Sequence, residues 1–216
     1  MTIKYISYGG GVNSTALMIL MEGHYDEIIF VWHGGDYPVT YDYVEYIQNK
    51  GFDITILKPD VEGFDNLYDY CFEKKIIPSR MFRWCTDKFK LKPIYKYIVK
   101  PCEMMIGICE DEKGRTNVKS RKDINISYPL INNKIDRNGC IKIIEDAGLK
   151  VPPRSGCYFC PFMKSIEIRK LFIEYPDLYN KAKKLEENCM RSDIYIKNKP
   201  FREIAMEHIL PLQTYL

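Results

Sequence analysis

Two stretches of the chain hold residue types whose spacing could do chemistry. The first is Tyr8-Gly9-Gly10-Gly11-Val12-Asn13-Ser14-Thr15. Three successive glycines give up side-chain contacts and add backbone entropy, so this position must need bare backbone. The loop lies between a strand-like IKYIS and a helix-like STALMILME. Glycines there let N–H groups turn toward an anion, and the positive end of the helix dipole adds attraction. Ser14 and Thr15 can supply hydroxyl donors to phosphate oxygens or cap the helix. No GK[ST] follows, and the Gly-x-x-Gly spacing of a dinucleotide fingerprint is missing. A strand–helix turn without ligand is the competing reading. The second stretch is SGCYFCPF, with Cys157 and Cys160 in a loop. CxxC places two thiolates for one metal centre or for a redox pair, and two thiolates alone cannot complete a tetrahedral site.

The elements that would position these residues alternate in type. Strands are expected at 3–7, 27–32, 53–57 and 103–108, and helices at 14–22, 39–49 and 63–74. The segment 88–99 looks helical, with Pro93 in an early turn or at a break. This order implies an α/β fold, a parallel sheet with helices on both faces, and right-handed crossovers put the loops 8–13, 33–38 and 109–115 on one rim. After residue 128 the pattern changes. Asp136 precedes a helix through Ala147, VPPRSGCYFCPF is a loop, and further helices are expected at 164–174 and 177–190. The expected division is a nucleotide-binding domain over 1–128 and a helical, cysteine-containing subdomain over 129–216. There are no internal repeats.

Composition sets the bounds. A chain of 216 residues, 46% hydrophobic, can bury a full core. The formal net charge of +3 permits an anionic ligand or a nucleic-acid surface without demanding either. No run approaches the ~20 apolar residues of a membrane span. The opening MTIKYISYGGG reads as structure and not as a secretory leader. Eight cysteines in such a chain favour thiol or metal chemistry over a disulfide framework, and the expected setting is the cytoplasm. Cys71, Cys102, Cys109 and Cys189 read as packing residues, with Cys109 at the rim. His24 and His208 carry no signal.

The glycine loop resembles the pyrophosphate loop, S-G-G-x-D-S, of the PP-loop (adenine nucleotide α-hydrolase-like) superfamily. Gly10, Gly11, Asn13 and Ser14 match, with Asn13 in place of the aspartate; asparagine hydrogen-bonds but carries no charge. HGGDYPVTYDYV (33–44) is similar to the T-G-x-E-x-P-E-T-x-x-x-V element of phosphoadenosine phosphosulfate reductase relatives. Gly34, Asp36, Pro38 and Thr40 match, with Asp36 replacing the glutamate. MFRWCTDKFKLKP (81–93) resembles the R-x-C-T-x-x-x-K-x-x-P element of that group. Together the three cover roughly residues 5–165, in order.

The resemblance implies ATP or a related adenine nucleotide across the strand ends, its phosphates at Gly9, Gly10, Gly11, Asn13, Ser14 and Thr15. His33 would touch the nucleotide, and Asp36 falls in the same element. Arg83, Lys90, Lys92 and Arg115 would neutralise pyrophosphate. Glu110, Asp111 and Glu112 could hold magnesium, or form a solvated acidic turn. Cluster-bearing relatives use an adjacent cysteine pair plus a distant CxxC. Here Trp84 takes the first place of the pair, leaving Cys85, and Cys140 stands as the replacement. A [4Fe–4S] cluster on Cys85, Cys140, Cys157 and Cys160 is implied, with zinc as the alternative.

The activity implied is adenylation of a substrate oxygen with release of pyrophosphate, followed by displacement of AMP by a sulfur nucleophile. Relatives in DNA phosphorothioation and tRNA thiolation make nucleic acid the implied target and a sulfur-donor protein and a homodimer the possible partners. One alternative is phosphoadenosine phosphosulfate or adenylylsulfate reduction, which uses a C-terminal cysteine; this sequence has none after Cys189. Another is a nucleotide- and cluster-binding accessory protein with weak catalysis.

Overall fold

Side-chain alternation along the first two strands decides the architecture. The strand β1 (Ile3–Tyr8) sends Ile6 and Tyr8 to one face and Tyr5 to the other. After α1 (Val12–Leu20), β2 (Glu27–Val31) divides Ile28 and Phe30 from Ile29 and Val31 in the same way. Both sets are buried, so helices must cover both faces, as a parallel sheet requires.

The computed structural model describes residues 2–116, 121–190 and 199–206; His208 lies outside them. In chain order there follow α2 (Pro38–Asn49), β3 (Ile54–Leu57), α3 (Leu67–Glu73) and the short α4 (Trp84–Thr86). A wide π turn (Asp87–Leu91) then leads to α5 (Lys92–Tyr97) and β4 (Cys102–Ile106). A 3-10 turn (Glu110–Arg115), β5 (Ile124–Ser127), α6 (Pro129–Asn132) and α7 (Arg137–Asp146) come next. The last helices are α8 (Ser165–Glu174), α9 (Pro176–Asn188) and α10 (Phe201–Met206).

The five strands are all parallel in the order β3-β2-β1-β4-β5. On one face, Leu17 of α1, Val44 and Ile47 of α2 and Ile144 of α7 close over Ile6, Phe30 and Met105. On the other, Ile94 of α5 and the following Ile98 cover Tyr5, Ile29, Val31 and Met104. The chain leaves β1 toward β2 on one side and returns as β4 on the other. The crevice beyond the carboxyl ends of β1 and β4 is therefore the topological switch point, where ligands bind in such sheets.

The chain divides into two compact units. One comprises residues 1–32, 36–58 and 92–156, the other 33–35, 59–91 and 157–216. This differs from the division expected at residue 128. Residues 129–156 belong with the sheet because α7 packs on α1, burying Cys140 and Ile144 in the same cluster as Leu17. Residues 59–91 belong with the C-terminal helices because α3 packs on α9. In that second unit Phe89, Phe159 and Phe201 are fully buried. Asn66 caps α3, its Oδ1 accepting from Tyr68 N at 2.8 Å.

Candidate functional site

The glycine loop opens α1 at the switch point, and Gly10 and Gly11 each have a steric reason, whereas a Cβ on Gly9 would meet only Ser14 Oγ at 3.9 Å. Gly10 has φ of +65°, and a Cβ there would lie 2.8 Å from Thr40 Cγ2. A Cβ on Gly11 would run into Ser155 Oγ. Across the crevice, Gly107 follows β4, and a Cβ on it would sit 2.8 Å from the Ser14 Cα and N. That contact is with backbone, which cannot move aside, so glycine alone lets the end of β4 lie against the first turn of α1.

The loop's amides converge. Gly9 N and Gly11 N both donate to Ser14 Oγ at 3.2 Å, and that hydroxyl donates to Gly11 O at 3.0 Å. One oxygen atom thus gathers two backbone donors at the amino end of a nine-residue helix, the arrangement a phosphate oxygen would find. Thr15 is different. It is fully buried, and its hydroxyl pairs with the Tyr8 hydroxyl at 3.1 Å, inside the core and away from an anion. Burial pushes the Tyr8 phenol well above its ordinary range, which keeps this pair neutral.

Asn13 is the hub of the crevice. Its Nδ2 donates to Glu112 Oε2 at 2.8 Å and to Cys109 Sγ at 3.2 Å, while its Oδ1 accepts from Arg137 Nη1 at 2.8 Å. A carboxylate on one side and a guanidinium on the other fix the orientation of the amide. Glu112 in turn accepts from Arg115 Nη1 at 2.5 Å through Oε1. The Arg137 backbone N donates to Asp111 Oδ2 at 3.1 Å, and Glu110 pairs with Lys113 at 2.6 Å. Each member of the acidic trio thus has a partner within the fold. Burial pushes the Cys109 thiol up, and the nearby Glu112 carboxylate adds to that rise.

Arg137 was not among the residues expected from sequence. Its partner Asn13 is 124 residues away, and only the Asp136 cap, Oδ1 to Gly139 N at 2.7 Å, marked the start of α7. Asp36 is buried in the same unit, its N–H donating to Tyr41 Oη at 3.2 Å. Lys92 is exposed at the start of α5.

Apart from Cys140, the remaining expected residues fall in the second unit. His33 is fully buried, its Nδ1 accepting from Gly35 N at 3.1 Å. Gly34 has φ of +71° and leaves room for Asn66. A Cβ on Gly35 would lie 3.3 Å from Cys157 Sγ, and Gly35 O accepts from Tyr158 N at 3.0 Å. Gly35 thus seats the CxxC loop, which closes through Cys160 N to Cys157 O at 3.1 Å. Cys85 is near Cys160; burial, then that second thiol, raises its pKa. Arg83 lies over the Phe162 ring, and Lys90 is half-buried in the π turn.

The four-cysteine set does not fit as a ligand sphere. Cys140 is fully buried among apolar side chains of the first unit, and its pKa is pushed up to about 12, first by burial and then by Cys109. Such a site favours a protonated, packing thiol over a thiolate ligand. Among the described residues no group of three or more His, Cys, Asp or Glu could hold a metal ion.

The sheet order and the rim loop define an α/β protein with a parallel sheet covered on both faces. No protein-family model matches the chain. It is similar to the uncharacterised protein MJ0973 of Methanocaldococcus jannaschii, 25% identical over 195 residues, covering 81% of this chain and 45% of that protein. It is also similar to the uncharacterised protein MJ0066 of the same organism, 27% identical over 203 residues, covering 82% of this chain and 40% of that one. The chain spans less than half the length of these curated relatives. Among solved structures, a predicted subunit of tRNA methyltransferase from that organism matches at 15% identity with a TM-score of 0.46, covering 83% of this chain and 93% of that chain. No helix among the described residues is long and apolar enough to cross a membrane.

Proposed function

We propose that this chain binds ATP, or a related adenine nucleotide, at the β1–β4 switch point and uses it to adenylate a substrate oxygen. The observation that carries this reading is the convergence of Gly9 and Gly11 N–H on one point at the amino end of α1. The substrate oxygen would attack the α-phosphorus, the bond to the β-phosphate would break, and pyrophosphate would leave into the loop. Backbone donors aimed at the leaving group stabilise the charge developing on it. Arg137, held by Asn13, is the cation best placed on that first turn to share the task. A sulfur nucleophile would then displace AMP, giving sulfur transfer to a nucleic-acid target.

The test is calorimetric titration with ATP, followed by pyrophosphate release assayed with and without RNA or DNA. Binding with substrate-dependent pyrophosphate release supports the enzyme. Sulfite release from phosphoadenosine phosphosulfate with reduced thioredoxin, which supplies the two electrons, would support the reductase instead. Nucleotide binding without turnover would support the accessory reading, which the uncharged Asn13, already bonded on both sides, favours as the second choice.

A further inference from the structure

The second unit carries an exposed apolar and cationic turn over residues 79–83; its Arg83 is one that the resemblance gave to pyrophosphate, whereas Arg80, Met81 and Phe82 were given no part in the nucleotide site. Ser79 Oγ accepts from Met81 N at 3.2 Å and Phe82 N at 3.4 Å, closing a tight turn that pushes both side chains outward. Met81 is 86% exposed and Phe82 76%, the most solvent-facing large apolar residues of their segment. Arg83 ends the turn with a left-handed φ of 32°, a conformation that costs a non-glycine residue and needs the surrounding bonds to hold it. Beside the turn, the half-exposed Phe162 ring carries the Arg80 and Arg83 guanidiniums at 5.7 and 5.6 Å from its centroid. Arg80 is further fixed by Nε donating to Pro161 O at 2.8 Å. Segments 74–86 and 157–166 contain no aspartate or glutamate, and Glu73, Asp87 and Glu167 border them.

We infer that this patch binds single-stranded nucleic acid. The exposed Phe82 ring offers a face for an unpaired base, and the guanidiniums held over the Phe162 ring offer paired donors to phosphate. The charge on the turn comes from Arg80 and Arg83, which suits a polyanion. A duplex hides its base faces, so a stacking patch discriminates against it. The surface would dock the nucleic-acid target of the proposed function, but binding here requires no ATP, so this inference and the nucleotide reading fail separately.

The experiment is fluorescence anisotropy of labelled oligouridylate and oligothymidylate against the full chain without nucleotide, with a duplex of equal charge as comparator. Removing one stacked base contact should weaken binding about tenfold in Phe82→Ala. Arg80→Gln should flatten the plot of log affinity against log salt by about 0.7. Phe82 is exposed, so Phe82→Ala should melt like the wild type, separating lost contact from lost fold. Unchanged affinity in both variants, or equal affinity for the duplex, overturns the proposal. So does a lack of single-strand binding at low salt together with a dimer that Phe82→Ala dissociates, which would assign the patch to a second copy of the chain.

Discussion

Asn13 and Arg137 stand 124 residues apart and meet through a single N–H···O bond of 2.8 Å at the end of the central strand. That bond joins the first turn of α1 to the first turn of α7, and the other side of the same amide holds Glu112. An asparagine is needed here because its two ends face opposite charges.

Asn13→Asp, which restores the aspartate of the resembling motif, should therefore weaken this protein. It would place a carboxylate where the amide now donates 2.8 Å from Glu112. Like charges at that separation are unfavourable. The expected result is a lower midpoint in urea denaturation for Asn13→Asp, largely recovered in the double variant Asn13→Asp/Glu112→Gln. Additive effects of the two substitutions would show that the residues do not interact.

Arg137→Gln should leave the sheet intact and change what the crevice binds. If its guanidinium shares the charge of bound phosphates, ATP affinity falls by about tenfold, the loss of one charge-assisted bond. Adenosine, lacking phosphates, should bind both proteins alike. Calorimetry with the two ligands makes the comparison, and an equal loss for both would mean a disturbed fold.

Gly10→Ala should cost about 1–2 kcal/mol from its left-handed backbone alone. The Thr40 methyl, 2.8 Å from the added carbon, increases that loss. Adding Thr40→Ser removes the methyl and should recover the steric part only. Denaturant unfolding of the single and double variants separates the two contributions.

Cys140 gives a pH signature. Its pKa is raised by burial from an ordinary value near 9 to about 12. Above pH 9 the unfolded chain loses this proton while the folded chain keeps it, so stability falls as pH rises through that window. Cys140→Ala should make the decline between pH 9 and 12 shallower. Identical slopes for the two proteins would remove Cys140 as its source.

The strand–glycine–helix opening was legible because each part has a local cause: alternation in β1, bare backbone in the turn, an apolar run in α1. Asp136 was legible as a cap for the same reason. The strand β5 was not, because four residues at a sheet edge, Ile124–Ser127, are too short to display a period. The Asn13–Arg137 bond left no sequence signal, since only the return of α7 onto α1 brings the partners together. Cys140 was misplaced for a related reason. It stood in for the cysteine missing from the pair that the resemblance implies, but helix periodicity puts that position on the buried stripe with Ile144. The division of the chain was likewise set by packing between segments far apart in sequence.

The threading of the two units has a practical consequence for anyone dissecting the protein. The backbone passes from one to the other after residues 32, 35, 58, 91 and 156. No single cut releases either as a contiguous fragment. A truncation ending at 128 would strip α7 from α1 and strand residues 59–91 without the helices that shelter them. Excised pieces should be insoluble, and functions will have to be separated by point substitution or by circular permutation.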